Sequence, residues 1–352
     1  MSRVKVYIDV NVRDEAVKRI QHIYDTHDTV IVAFSGGKDS LTALHLTWEV
    51  AQRNGLKQVP VIFRDEELIP DTVVDFVNEY RQKPWVNMTW FCVPLLSNKY
   101  ILGTVVEYIQ WDPDRKHIRE MPAWATTLET LGLPPETRAD QWTMDELAIA
   151  KFKGKVAIVT GIRASESLMR FRASVNKLNE NYINASSTPR ASLCKPLFDW
   201  EENDIFRYFY DEQIKYCPIY DAQILAGVNL RVSTPLHVEA AKRIGQLREY
   251  SPVFYDQVME LFPEMLVQER YFNELDREAV LRRYSQNFEG VRAWCMENIE
   301  DEKWLRKALA ELASVEAREK NSPGAYPVDY VLKSFMGGGY KRVLLPQRKK
   351  AK

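Results

Sequence analysis

Val30-Ile31-Val32-Ala33-Phe34, followed without a break by Ser35-Gly36-Gly37-Lys38-Asp39-Ser40, is the stretch that decides the fold. The first five residues form an apolar run of the length of a buried strand. After the glycines, Leu41, Leu44, Trp48 and Ala51 recur on one helical face. The segment therefore reads as strand, glycine-rich turn and helix. Two adjacent glycines let the backbone approach an anion closely, and the N–H groups that open the helix point at it with the positive end of the helix dipole behind them. Phosphate fits such a place. Lys38 adds a mobile positive charge, and Ser35 and Ser40 supply hydroxyl donors at the two ends of the turn. A carboxylate beside a polyphosphate is repelled unless it binds a cation or caps the helix, so Asp39 is explained either by Mg²⁺ ligation or by capping. The spacing differs from GxxxxGK[ST], so transfer of a terminal phosphate is not the default inference.

Outward from this unit, strands and helices alternate. Residues 13–25 carry Val17, Ile20, Ile23 and Tyr24 at helical spacing. Val59–Phe63, Met88–Val93 and Val156–Thr160 read as further strands, while Pro70–Arg81 and Glu201–Gln213 read as helices. Such alternation implies parallel pairing with helices on both sheet faces. The expected fold is α/β: a doubly wound, mostly parallel, Rossmann-like sheet. Residues 95–150 interrupt the pattern, with Trp111, Trp124 and Trp142 among prolines at 113, 122, 134 and 135, and read as an insertion. From Pro235 to about Ser334 the pattern is helical. The expected organisation is a nucleotide-binding domain over 1–235, a helical region over 236–335 and a flexible basic tail over 336–352. Residues 340–352 of that tail carry six basic and no acidic side chains.

Composition bounds the function classes. The chain has 352 residues, 45% hydrophobic and 28% charged, which excludes disordered and fibrous classes. Its 48 basic and 49 acidic residues give a formal charge of −1, so any charged surface is local. No apolar run reaches the roughly 18 residues of a membrane span and the N-terminus lacks a signal-peptide core, so a soluble, cytoplasmic protein without membrane partners is expected. Cys92, Cys194, Cys217 and Cys295 form no CxxC pair and are expected as buried hydrophobes in a reducing compartment. His22, His27, His45, His117 and His237 are too dispersed to suggest a metal site.

Ser35–Ser40 resembles the PP-loop of the phosphoadenosine phosphosulfate (PAPS) reductase family, within the adenine nucleotide alpha hydrolase-like proteins. Three further stretches resemble family elements: Phe63-Arg64-Asp65-Glu66-Glu67 with Pro70-Asp71-Thr72; Thr160-Gly161-Ile162-Arg163 with Glu166, Ser167 and Arg170; and Lys195-Pro196-Leu197 to Trp200 with Asp204. Together they cover roughly residues 15–235. The resemblance implies a loop that holds the β and γ phosphates of ATP, so that attack falls on the α phosphorus, pyrophosphate leaves and AMP is transferred. Relatives that bind PAPS use comparable cationic pockets. It further implies that Lys38 and Arg163 are catalytic and that Ser35, Gly36, Gly37, Lys38, Asp39, Ser40, Asp65, Gly161, Arg163 and Arg170 contact the nucleotide. Asp39 and Asp65 would hold Mg²⁺. Arg170 or Arg172 would hold an anionic group, or else form a salt-bridged helix face. Glu166 would orient an arginine, Asp199 and Trp200 would fix the turn before 201–213, and Arg231 would lie near the cleft.

The chain departs from the reductases in one place. Their nucleophilic C-terminal cysteine motif has no counterpart, since residues 320–352 contain no cysteine and Cys295 sits in RAWCMENIE. Cys194, beside Lys195, is the better thiol candidate against a buried structural role. The departure points toward relatives that activate a nucleic acid or small molecule for sulfur insertion, as in DNA phosphorothioation. The clustered cysteines that often accompany those enzymes are missing, and no iron–sulfur cluster is expected. The alternatives are a sulfonucleotide reductase and a non-catalytic nucleotide-binding regulator. Expected partners are an adenine nucleotide and either a nucleic acid or a sulfur-donor protein, with the oligomeric state left open.

Overall fold

A computed structural model describes residues 8–175, 180–271 and 277–347. Eight strands are seen: β1 (Thr29–Ala33), β2 (Val59–Arg64), β3 (Val86–Phe91), β4 (Leu95–Ile101), β5 (Thr104–Gln110), β6 (Val156–Val159), β7 (Ile183–Ala185) and β8 (Ala191–Cys194). Six of them form one sheet in the order β3-β2-β1-β6-β8-β7. All neighbours are parallel except the edge pair β7 and β8. The register sets Val30 of β1 against Ala157 of β6 and Val32 against Val61 of β2.

The two faces of β1 explain its composition. Val30 and Val32 belong to the core built by α1 (Val12–Thr26), α2 (Lys38–Arg53) and α3 (Asp71–Arg81), with Ile20, Leu41, Leu44 and Val77. Ile31 faces the opposite side and packs with Ile149, Val156 and Ile158, backed by Phe152. A strand covered on both faces has no solvent side, so it reads as an unbroken apolar run. Strand order reverses at β1, with β2 on one side and β6 on the other, and open α/β sheets place their binding crevice at the carboxyl ends of such a pair.

Two strands and a hairpin were not anticipated. Ala191–Cys194 is only four residues long and includes a serine, so its propensity is weak; pairing with β6 selects it. The insertion carries the β4–β5 hairpin, whose turn residues Leu102 and Gly103 both have positive φ, the geometry that matches strand twist in a two-residue loop. It also carries α4 (Gln141–Ile149), capped by Asp140, which accepts the Thr143 N–H at 2.7 Å.

The chain divides into two compact units. One comprises the residues up to Ser97, Ile109–Thr234 and Gln246–Leu261; the other comprises Asn98–Tyr108, Pro235–Gly245 and the residues from Phe262 on. The second unit has its own core, in which Trp294, Leu312, Val315 and Phe335 are contributed by helices Phe288–Asn298, Glu302–Asn321 and Val328–Met336. Residues 340–347, read above as part of a mobile tail, are held there. Leu344 is buried, its N–H donates to Glu311 at 2.7 Å and its carbonyl accepts from Arg318 at 2.7 Å. The remainder of the tail, from 348, lies outside the described residues. No described helix is long and apolar enough to cross a membrane.

Candidate functional site

β1 leads through Phe34 into the turn. Gly36 has φ +75, and a Cβ there would stand 2.9 Å from both Val73 and Val77 of α3. Only glycine satisfies the left-handed backbone and the close helix together. Gly37 is the N-cap of α2 and offers no side chain to the first helical N–H groups, which leaves that role to other partners. One of these is internal: the hydroxyl oxygen of Tyr220, in α7 (Ile219–Leu225), accepts the Lys38 N–H at 2.8 Å. The serines brace the turn. Ser40 Oγ accepts from Ser35 N–H at 3.1 Å, donates to the Gly37 carbonyl at 2.9 Å and lies 3.0 Å from Ser35 Oγ.

The end of β6 completes the place. A Cβ on Gly161 would fall 2.3 Å from the Asp39 carbonyl carbon and 2.5 Å from Ser40 N, so glycine is what allows this strand end to press on the first turn of α2. Two residues on, Arg163 is 5% exposed and its Nε donates to Asp39 Oδ1. The two alternatives for Asp39 are thereby resolved in part, because Gly37 is the cap and the carboxylate turns to Arg163. Lys38 is 4% exposed. Its Nζ donates to the Leu230 carbonyl at 3.0 Å and lies 3.4 Å from Asp39 Oδ2 and 3.5 Å from Glu202 Oε2. Two buried cations thus meet at the mouth of a glycine turn.

Glu166 pairs with Arg170 of α5 (Leu168–Val175), and its Oε2 also accepts the Arg163 N–H at 3.3 Å, linking the two arginines. The Arg170 guanidinium is held below its ordinary pKa, first by burial and then by the charges of Arg231 and Arg163. Arg231 is anchored through its backbone. Gln223, almost fully buried, accepts the Arg231 N–H at 3.0 Å and donates to its carbonyl at 2.8 Å. Arg172 is exposed. Asp199 receives a bidentate contact from Arg19, 2.7 Å on each side, and buried Trp200 donates to the Val12 carbonyl at 3.2 Å, so both hold the turn ahead of α6 (Glu202–Asp211).

Asp65 stands at the end of the neighbouring strand β2 with different company. Its Oδ2 accepts from Trp90 Nε1 at 2.9 Å, and its Oδ1 accepts from Glu67 N–H at 2.9 Å and from Arg119 of the insertion. Lys38, Asp39, Ser40, Gly161 and Arg163 are brought together; Asp65 is tied to the insertion. Among the described residues no cluster of three or more His, Cys, Asp or Glu side chains is arranged to hold a metal. Mg²⁺ keeps most of its waters and uses one or two carboxylates plus phosphate oxygens; at this mouth the carboxylate is Asp39, whose Oδ1 faces Arg163 Nε and whose Oδ2 lies 3.4 Å from Lys38 Nζ.

All four thiols are buried. Burial pushes Cys194 and Cys295 up to about 12 and Cys217 up to about 11, and it raises Cys92, beside the Asp65 carboxylate, further still. None is a thiolate near neutral pH. The residues the sequence reading missed are Tyr220, Glu202 and the Leu230 carbonyl. Each lies more than 160 positions from Lys38, and no local spacing announces them.

At 30% identity over 242 residues, an uncharacterized protein, YbdN, of Escherichia coli (strain K12) matches 66% of this chain and 59% of its own length. The chain therefore spans less than two thirds of that relative. Similar solved structures include the Candida glabrata FMN adenylyltransferase in complex with FMN and the ATP analog AMPCPP. It is 15% identical, with 64% of this chain and 66% of that chain covered and a TM-score of 0.38. A phosphoadenylyl-sulfate reductase from Candida auris in a phosphate complex is 13% identical, covering 61% and 94%, with a TM-score of 0.32. The U34-tRNA thiolase NcsA from Methanococcus maripaludis with its [4Fe-4S] cluster is 17% identical, covering 74% and 79%, with a TM-score of 0.33. The family model for the phosphoadenosine phosphosulfate reductase domain matches residues 29–247, from the first residue of β1 past the Leu230 strap, and the chain belongs to that family.

Proposed function

We propose that the chain binds ATP at the turn after β1, cleaves it between the α and β phosphates, and transfers AMP to an acceptor that is thereby activated for sulfur transfer. The observation that carries this reading is the burial of Lys38 and Arg163 together beside the glycine turn that opens α2. Buried cations are costly unless anions reach them, and a polyphosphate supplies several at once. The turn from Ser35 to Ser40 would hold the terminal phosphates. A nucleophile on the acceptor would attack the α phosphorus as the bond to the bridging oxygen breaks and pyrophosphate leaves with that electron pair. Lys38 and Arg163 would stabilise the charge that gathers on the departing oxygens, and Arg170 would hold a further anionic group. The acceptor's proton goes to solvent, for no side chain is assigned to take it.

Asp39 would hold Mg²⁺ once phosphate oxygens draw Arg163 and Lys38 off its carboxylate, and the ion supplies neutralisation of the pyrophosphate charge. Asp65 is open to a cation only if Arg119 withdraws. All four thiols are buried and burial raises them, which favours adenylylation with a separate sulfur donor over sulfonucleotide reduction by a thiol of this chain. For the acceptor we propose a nucleic acid, phosphorothioation-like, on the strength of the six basic and no acidic residues in 340–352. The test is calorimetry with ATP, ADP and PAPS in the presence of Mg²⁺, followed by pyrophosphate and sulfite assays. ATP binding with pyrophosphate release is expected, and Lys38→Ala should weaken binding by roughly 10- to 100-fold through the loss of a charge-assisted contact. Unchanged binding in both Lys38→Ala and Arg163→Ala would sink the assignment. Sulfite from PAPS would replace it with the reductase, and binding without turnover would replace it with the regulator.

A further inference from the structure

Glu202 is the one member of the cationic cluster that no motif explains. It opens α6, and its Oε2 lies 3.5 Å from Lys38 Nζ and 4.0 Å from Arg163 Nη2, so a single carboxylate oxygen faces both buried cations. Resting on the nucleotide reading above, we propose that Glu202 is a stand-in for phosphate: it occupies the anion position between Lys38 and Arg163 while the site is empty and must swing out for a polyphosphate to enter.

Charge and mobility both point to this. Lys38 and Arg163 are matched by Asp39 and Glu202, two positive against two negative, while Arg170, paired with Glu166, and Arg231 add positive charge beside them. A polyphosphate brings several more negative charges into the same volume, and at these separations in a partly buried place like charges repel strongly. One carboxylate has to leave or be neutralised. The two are not equally free to do so. Asp39 is 18% exposed and is gripped by the Arg163 guanidinium through Nε. Glu202 is 48% exposed, has the longer side chain, and meets Arg163 only at 4.0 Å, although it stands 3.5 Å from Lys38, about as close as Asp39 does. The cap of its helix does not depend on it, since the Glu201 N–H donates to Asp204 at 2.7 Å. It can therefore rotate to water without disturbing α6. The Leu230 carbonyl accepts a Lys38 hydrogen bond at 3.0 Å that does not involve Glu202, so the ammonium has a second partner when Glu202 departs.

The consequence is a setting of affinity. Part of the attraction between the cations and a nucleotide is offset by the contact that must be given up. Glu202→Gln, which is isosteric and half-exposed, removes the competing charge. ATP titrated calorimetrically into the full chain, with and without Mg²⁺, should bind about fivefold more tightly in Glu202→Gln, the size of a partly exposed ion pair. The gain should fall below twofold when Glu202→Gln is placed on Lys38→Ala, because the competition runs through Lys38. Unchanged or weaker binding in Glu202→Gln overturns the proposal, and weaker binding confined to Mg²⁺ marks Glu202 as a cation ligand instead. An equal gain in both backgrounds also overturns it, as general repulsion. Should Lys38→Ala bind ATP as well as the unaltered chain, the nucleotide site itself is misplaced, a failure distinct from the others.

Discussion

Two adjacent strand ends in the same sheet carry charge clusters of opposite build. At β1 and β6 the cations are inside: Lys38 and Arg163 are 4% and 5% exposed, while their carboxylate partners are partly in water. At β2 the carboxylates are inside. Asp65 and Glu67 are sealed, and Arg115 and Arg119 of the insertion close over them. The second cluster is complete. Glu67, at φ +61, accepts from the Trp111 N–H and from Arg115, each at 2.6 Å, and from the Ile118 N–H at 3.3 Å, while Arg119 also reaches its carbonyl. A buried carboxylate with its acceptor sites filled by its own chain is a strut. Buried cations with one movable carboxylate, Glu202, among their partners can exchange it for an anion from outside. The same edge thus holds one clasp and one candidate site, and the sign of the buried charge distinguishes them.

The largest effect that would break this contrast is expected at Gly161. Gly161→Ala forces a methyl group onto the backbone of Asp39 and Ser40, so α2 must shift, and ATP affinity should drop by roughly 100-fold or more, as calorimetry would show. Next is Arg119→Ala, which strands the sealed Asp65 carboxylate and should cost about 3 kcal/mol in denaturant unfolding. A loss below about 1 kcal/mol would mean that the clasp is not structural.

A comparable acid effect is expected away from both clusters. Burial, with help from Lys83, depresses the His45 pKa from 6.5 to about 4, and the ring bonds the Tyr80 hydroxyl at 2.8 Å. The unfolded chain takes up this proton first, so the contribution is complete above about pH 6.5. It is lost as pH falls toward 4, by up to about 3 kcal/mol. Unfolding of His45→Gln should show a shallower acid slope across that window than the unaltered chain. The smallest effect belongs to the thiols. Alkylation at pH 8 should leave the native chain essentially unmodified, and Cys194→Ser should change pyrophosphate release by less than about twofold.

Much of the site could be read locally. Ser35–Ser40 between an apolar run and an amphipathic helix reads as a candidate phosphate turn, and the strand, turn and helix themselves are seen, because glycine spacing, helix onset and lysine position are all short-range features. Gly161 and Arg163 were legible through their motif, although the reason for Gly161 is a backbone contact with a segment about 120 positions earlier. Other features had no local signal. β8 is too short and polar to stand out, and the insertion's tryptophans gave no hint that Trp111 alone would be buried against Asp65, while Trp124 and Trp142 stay exposed.

By itself, then, the order of residues determined the alternating strands and helices, the glycine turn and the family. The first two are written in periodicities and spacings within about twenty residues, while the family rests on the resemblance of four motifs spread over residues 15–235. Only the tertiary structure decided which charges are buried and what they face: Glu202 and Leu230 against Lys38, and Arg119 against Asp65. Burial and pairing depend on how distant segments are brought side by side, and in a parallel sheet whose strands connect through helices the partners at one edge come from all along the chain.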